Sequence, residues 1–108
     1  MSLSLSPTLV TYFAAQNAHD IEGLVNCFAI DAKVRDEGED IVGRDKIRAW
    51  KERVREKYNI TIEPLRSSQA DGYELVTARV EGTFPGSPIE LTYQFSVIDG
   101  QIASLKVL

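Results

Sequence analysis

The chain is poor in the residues that usually carry catalysis or cross-linking. It has one cysteine and one histidine in 108 residues. A lone Cys27 excludes an internal disulfide and fits a reducing, cytoplasmic setting. Cys27 and His19 together leave no ligand set for zinc, and no Ser-His-Asp triad can be assembled. There is no glycine-rich phosphate loop, and "DEGED" at 36–40 lacks the alternating acids of a calcium loop, so no metal or cofactor is expected. No apolar run is long enough to span a bilayer. The opening "MSLSLSP" lacks the basic start and apolar stretch of a secretory signal, so no membrane association is expected. Basic charge is also scarce: the net charge is −4, which argues against nucleic acid as a partner.

What is present fits one ordinary globular domain spanning 1–108. A chain of this length hides roughly two-thirds of its unfolded surface, enough for a core without staples. Pro7 suits a first helical turn, and Leu9, Tyr12, Phe13 and Gln16 follow at helical spacing, predicting a first helix that ends near "NAHD". Asp20 can cap a short second helix with Ile21, Leu24, Cys27 and Phe28 on its buried stripe. Strands at about 32–36 and around Ile41–Val42 flank the acidic turn. A third helix follows at 44–57, with Ile47, Trp50 and Val54 on its stripe and Tyr58 just beyond.

The period then changes from helical to two. Tyr58, Ile60 and Ile62 share a face, and Pro64 predicts a strand edge or bulge. "DG" at 71–72 and 99–100 are hairpin signals, and "PGSP" at 85–88 is a turn. Between them Val76, Ala78, Val80, Gly82 and Phe84 alternate against polar neighbours. So do Ile89, Leu91, Tyr93, Phe95 and Val97, and finally Ala103, Leu105 and Val107. Helices followed by an antiparallel meander predict an α+β fold, a curved sheet roofed on one face by three helices. Such an arrangement often encloses a pocket.

By phase, three polar groups point into that space. Asp36 is in step with Ala32 and Val34, whereas Lys33, Arg35 and Glu37 face the other way. An interior carboxylate costs several kcal/mol to bury unless partnered, and such a group suits a general base. The competing reading makes Asp36 the solvated first residue of a turn. Tyr12 and Tyr93 bring hydroxyls that must be satisfied when buried. They read either as core tyrosines or, with Asp36, as two donors beside one base. That set suits moving a proton next to a carbonyl, with the hydroxyls holding the enolate oxygen.

These residues carry a resemblance. "YFAAQNAHDIEGLVNCFAIDAKVRDE" at 12–37 resembles the opening of the nuclear transport factor 2-like superfamily, specifically its ketosteroid isomerase and SnoaL-like branch. "VGRDKIRAW" at 42–50 is similar to the segment that enters that family's third helix. The resemblance covers almost the whole chain and implies a cone-like, cystatin-like roll with a curved mixed or antiparallel sheet roofed by three N-terminal helices. In the steroid isomerases a tyrosine of the first helix donates to the enolate oxygen, and Tyr12 falls on it. Their base is an aspartate ending the first strand, and Asp36 falls on it in the same ungapped block. Their third group is a protonated aspartate on a later strand, where Tyr93 stands here. That departure puts authentic steroid isomerisation in question and leaves a related proton transfer open. Cyclase relatives pair an aspartate with a histidine, and His19, in a helix–helix turn, does not supply that pair.

The implied ligand is a small apolar carbonyl compound, with Phe13, Phe28, Val34, Trp50, Val80, Phe84, Phe95 and Leu105 as pocket walls and no cofactor. The alternative is a non-catalytic ligand-binding or dimerisation module of the same shape. Residues 44–57 hold seven Lys/Arg against three Asp/Glu, which reads as a solvated helix face with pairs such as Arg48 and Glu52. Cys27 reads as a small buried hydrophobe. The outer sheet face, with Leu75, Thr77, Thr92, Gln94, Ser96, Ile98 and Ile102, carries few charges and predicts a homodimer.

Overall fold

The computed structural model describes residues 5–108. Three helices, α1 (Pro7–Asn17), α2 (Ile21–Val25) and α3 (Arg44–Tyr58), pack on one face of a six-stranded sheet. The strands are β1 (Phe28–Asp36), β2 (Glu39–Val42), β3 (Thr61–Ala70), β4 (Tyr73–Glu81), β5 (Ile89–Ile98) and β6 (Gln101–Val107). Their order is β2-β1-β6-β5-β4-β3. Only β1 and β6 run parallel, so the sheet is mixed.

Local chemistry explains the punctuation. Pro7 sits in the first turn of α1. The Asp20 carboxylate accepts the Gly23 N–H at 3.0 Å and caps α2, as expected of an acid at that position. Asn59 ends α3 in the left-handed region, with its N–H on the Arg55 carbonyl, a conformation asparagine tolerates well. Glu37-Gly38, Asp71-Gly72 and Asp99-Gly100 all have positive φ. Each pair joins two directly facing strand residues, the two-residue hairpin geometry that matches strand twist. Pro64 lies on the edge strand β3, at a register shift against β4, where a missing N–H costs least.

Three expectations are corrected. Helix α2 stops at Val25, and Phe28 opens β1. The Cys27 carbonyl accepts the Ile102 N–H at 2.7 Å, which draws the chain into the sheet before another helical turn can form. Second, β6 does not alternate simply. Ser96 faces Ser104 but Val97 faces Ile102, so Ala103 is an extra, bulged residue. Ile102 and Leu105 therefore both enter the core, and Ile102 does not belong to the outer face. Third, Lys51, counted with the charges of the solvated face of α3, is only 5% exposed. Arg48, for its part, pairs with Glu22 and Asp45 rather than Glu52.

The core is built on Tyr12. Its ring meets Phe13, Phe95 and Phe28 edge-to-face at centroid distances of 5.1, 5.4 and 5.8 Å, the arrangement ring quadrupoles favour. Leu9, Val34 and Leu105 complete this closed end. At the other end, α3 stands off the sheet. There the Tyr58 carbonyl accepts the Thr83 N–H at 2.8 Å. A Cβ added at Gly82 would lie 2.6 Å from that oxygen, so glycine permits the close approach.

Candidate active site

Between α3 and the concave sheet face lies a cavity of about 430 Å³. Helix α3 contributes Trp50, Lys51, Val54 and Tyr58, spaced to fall on one face. The sheet contributes Ile62, Val80, Leu91 and Val107. Phe84 and Pro85 form the rim, where the Phe84 ring meets Tyr58 edge-to-face at 5.8 Å. The wall is mostly apolar, with Asp36, Glu37, Lys51, Tyr58, Tyr93 and the Trp50 indole as its polar and charged groups.

Asp36 is half-buried. The hairpin turn occupies only residues 37 and 38, so Asp36 is still in strand register opposite Glu39. It projects to the side of Val34 rather than into the turn. Its Oδ2 accepts the Trp50 indole N–H at 3.0 Å. That bond fixes one carboxylate oxygen and leaves the other available. A smaller cleft of about 180 Å³ also touches Asp36, Trp50 and Tyr58, and the half-buried carboxylate borders both spaces.

Tyr93 borders the same cavity. Burial, and secondarily the negative charge of Asp36, push its phenol well above the usual range. It therefore stays protonated and able to donate. Tyr12 is fully buried, and its hydroxyl has no hydrogen-bond partner among the described residues. Burial foremost, then Tyr93, Cys27 and Asp36, push its phenol up as well. Tyr12 lies behind the cavity rather than on its wall. Cys27, also raised by burial, is the inert thiol expected.

Asp36, Tyr93, Trp50, Val80 and Phe84 thus come together around one space. Phe13, Phe28, Val34, Phe95 and Leu105, expected as walls, belong to the closed core instead. Sequence reasoning passed over Lys51. Its Nζ donates to Gln16 Oε1 at 2.8 Å and lies 4.4 Å from the Trp50 ring centroid and 5.4 Å from that of Tyr12. Desolvation lowers its pKa to about 7, opposed in part by Asp36. The signal was its spacing, because 47, 51, 54 and 58 fall on one helical stripe.

The description "SnoaL-like domain" matches residues 9–105, nearly the whole chain. The chain belongs to the SnoaL-like domain family. None of the curated proteins compared with it matches. Among solved structures, this SnoaL-like chain is 38% identical to Sinorhizobium meliloti SMa1630, provisionally named a polyketide cyclase. The alignment covers 96% of this chain and 95% of that one, with a TM-score of 0.92. A Catenulispora acidiphila protein with a ketosteroid isomerase-like fold, bound to trimethylamine, is 20% identical, with coverages of 97% and 86% and a TM-score of 0.83. SalBIII, an epoxide hydrolase/cyclase-like enzyme of pyran ring formation in salinomycin, is 22% identical, with coverages of 94% and 86% and a TM-score of 0.80. The last two share the fold, which by itself assigns no chemistry. Among the described residues no helix is long and apolar enough to cross a membrane, and no group of three potential metal ligands occurs.

Proposed function

We propose that this SnoaL-like protein binds a small, mostly apolar carbonyl compound and moves a proton beside its carbonyl, as ketosteroid isomerases do. One observation carries the reading: a carboxylate anchored by the Trp50 indole on the wall of an apolar cavity shared with Tyr93. Asp36 takes the proton from the carbon next to the carbonyl. Charge gathers on the carbonyl oxygen, and the Tyr93 hydroxyl donates to it in a site where water competes poorly. Asp36 then returns the proton to the far carbon of the conjugated system. The sequence needs no cofactor and leaves the enzyme unchanged. Tyr12 supports this end of the cavity from behind, as a ring packed on Phe95, rather than as the donor nearest the guest.

The second reading is a non-catalytic binding module. It is favoured by one departure, a phenol at position 93 where the steroid isomerases place a protonated carboxyl. The deciding experiment is turnover of a 5-ene-3-ketosteroid, followed by absorbance of the conjugated product, with Asp36→Asn beside the wild type. Turnover that disappears in the variant supports Asp36 as the base. No turnover in either, together with tight binding of the steroid, supports the binding module.

The homodimer belongs to the same proposal. With Ile102 removed from it, the outer sheet face keeps Leu75, Thr77, Thr92, Gln94, Ser96 and an exposed Ile98. Sedimentation at micromolar concentration showing monomer alone would exclude the dimer. A reducing cytoplasm suits the free, buried Cys27.

A further inference from the structure

The cavity holds a second functional group that the proton-transfer scheme does not use. Lys51 lines it from α3, and the same residue, only 5% exposed, also borders a small cleft of about 20 Å³ towards α1 and α2. An ammonium has three N–H donors to satisfy. Among the described residues, the acceptor recorded for Lys51 is one neutral amide oxygen, on Gln16, and no carboxylate lies within ion-pairing distance. The charged and titratable groups around it are Asp36 from β1, Glu37 from the β1–β2 turn, Tyr58 from α3, Tyr12 from α1, Tyr93 from β5 and, bordering the small cleft, His19, Asp20 and Arg55. The rings of Tyr12 and Trp50 flank the amine.

We infer that Lys51 is a nucleophilic amine that condenses with an aldehyde or ketone held in the cavity, forming an imine. The inference rests on the proposed function only in requiring a guest with a carbonyl group. In the first step the Nζ lone pair forms a bond to the carbonyl carbon, and the carbonyl π pair moves to oxygen. One amine proton is transferred to that oxygen, giving a carbinolamine. In the second step the C–O bond breaks and the second N–H proton leaves with the hydroxyl as water, so that C=N forms. Asp36, on the same cavity wall, is the group that can carry each proton. Apolar walls favour the loss of water. A pKa near 7 leaves about half of the Lys51 side chains neutral at neutral pH. A solvated lysine is neutral in about one molecule per thousand or fewer at that pH.

The test uses the unaltered protein, benzaldehyde as the probe, and sodium cyanoborohydride to trap imines, with adducts mapped by peptide mass. Lys33, Lys46, Lys57 and Lys106 serve as internal references. At pH 7 the Lys51 adduct is expected to exceed each of theirs by about tenfold or more, the neutral fraction outweighing restricted access. The excess should shrink as pH approaches 10. A second variant, Val80→Trp, fills the cavity and should abolish the excess. Adducts spread over the other lysines with little at Lys51 overturn the inference, as does undiminished Lys51 labelling in Val80→Trp. Trapping without steroid turnover keeps the amine and removes the isomerase. Turnover without trapping does the reverse.

Discussion

Replacing Lys51 by methionine should change the sign of its effect on stability with pH. The folded pKa is about 7, against an ordinary value of 10.5. Below pH 7 the lysine is charged in both the folded and unfolded states, and the fold bears the full cost of burying that charge. As pH rises from 7 to 10.5 the unfolded chain gives up its proton too, and the cost disappears. The gap between the two values corresponds to about 5 kcal/mol across that window. Methionine fills a similar volume without charge and recovers this cost at pH 6. It also leaves Gln16 Oε1 without its donor, a penalty of about 1–3 kcal/mol at every pH. Lys51→Met should therefore be more stable than wild type by about 2–4 kcal/mol at pH 6 and less stable by about 1–3 kcal/mol above pH 10.5. Urea unfolding of both proteins from pH 6 to 10.5 measures the difference and cancels the titration of all other groups. A difference that stays constant over this range would refute the claim that Lys51 is buried charged at low pH.

Other perturbations separate core, cavity and site. Trp50→Phe removes the donor to Asp36 and should cost about 1.5–3 kcal/mol. In the Asp36→Ala background that cost should fall, and strict additivity in the double-mutant cycle would show the bond is energetically idle. Tyr12→Phe deletes a hydroxyl with no partner and should gain about 1 kcal/mol, raising the melting temperature by roughly 4–8 °C. A lower melting temperature would reveal a bonded hydroxyl. Phe28→Ala should cost about 3–5 kcal/mol because it empties the closed core. Phe84→Ala, at the half-exposed rim, should leave stability nearly unchanged and weaken steroid binding. Equal effects of the two on calorimetric stability would erase the distinction between core and wall.

Much of the architecture is legible from local signals. The Asp-Gly pairs specify hairpins by backbone conformation, and Pro64 marks the edge strand by its missing donor. Asp36 is legible because the turn after it is only two residues long, so alternation still holds at its position. Other features depend on tertiary context. The helical phase of Leu24, Cys27 and Phe28 is equally compatible with a strand starting at Phe28, and pairing with β6 decides between them. The bulge at Ala103 leaves no trace in the alternation, so Ile102 reads as outward until its partners are known. Which aromatics fill the core and which border the cavity depends on where α3 lifts off the sheet, which no periodicity reports. Lys51 was on the stripe, and its charge hid it.

The parallel pairing of β1 with β6 sets the time at which the site can exist. Asp36 on β1 and Tyr93 on β5 belong to strands that never touch, and β6 is the strand between them. A nascent chain that has not yet released residues 101–107 from the ribosome can form the helices and the β3–β4–β5 meander. It cannot bring Asp36 and Tyr93 to one cavity through the sheet. Premature termination before Gln101 would therefore leave Asp36 and Tyr93 on separate, unjoined pieces of sheet, with the edges of β1 and β5 open to pairing with other chains.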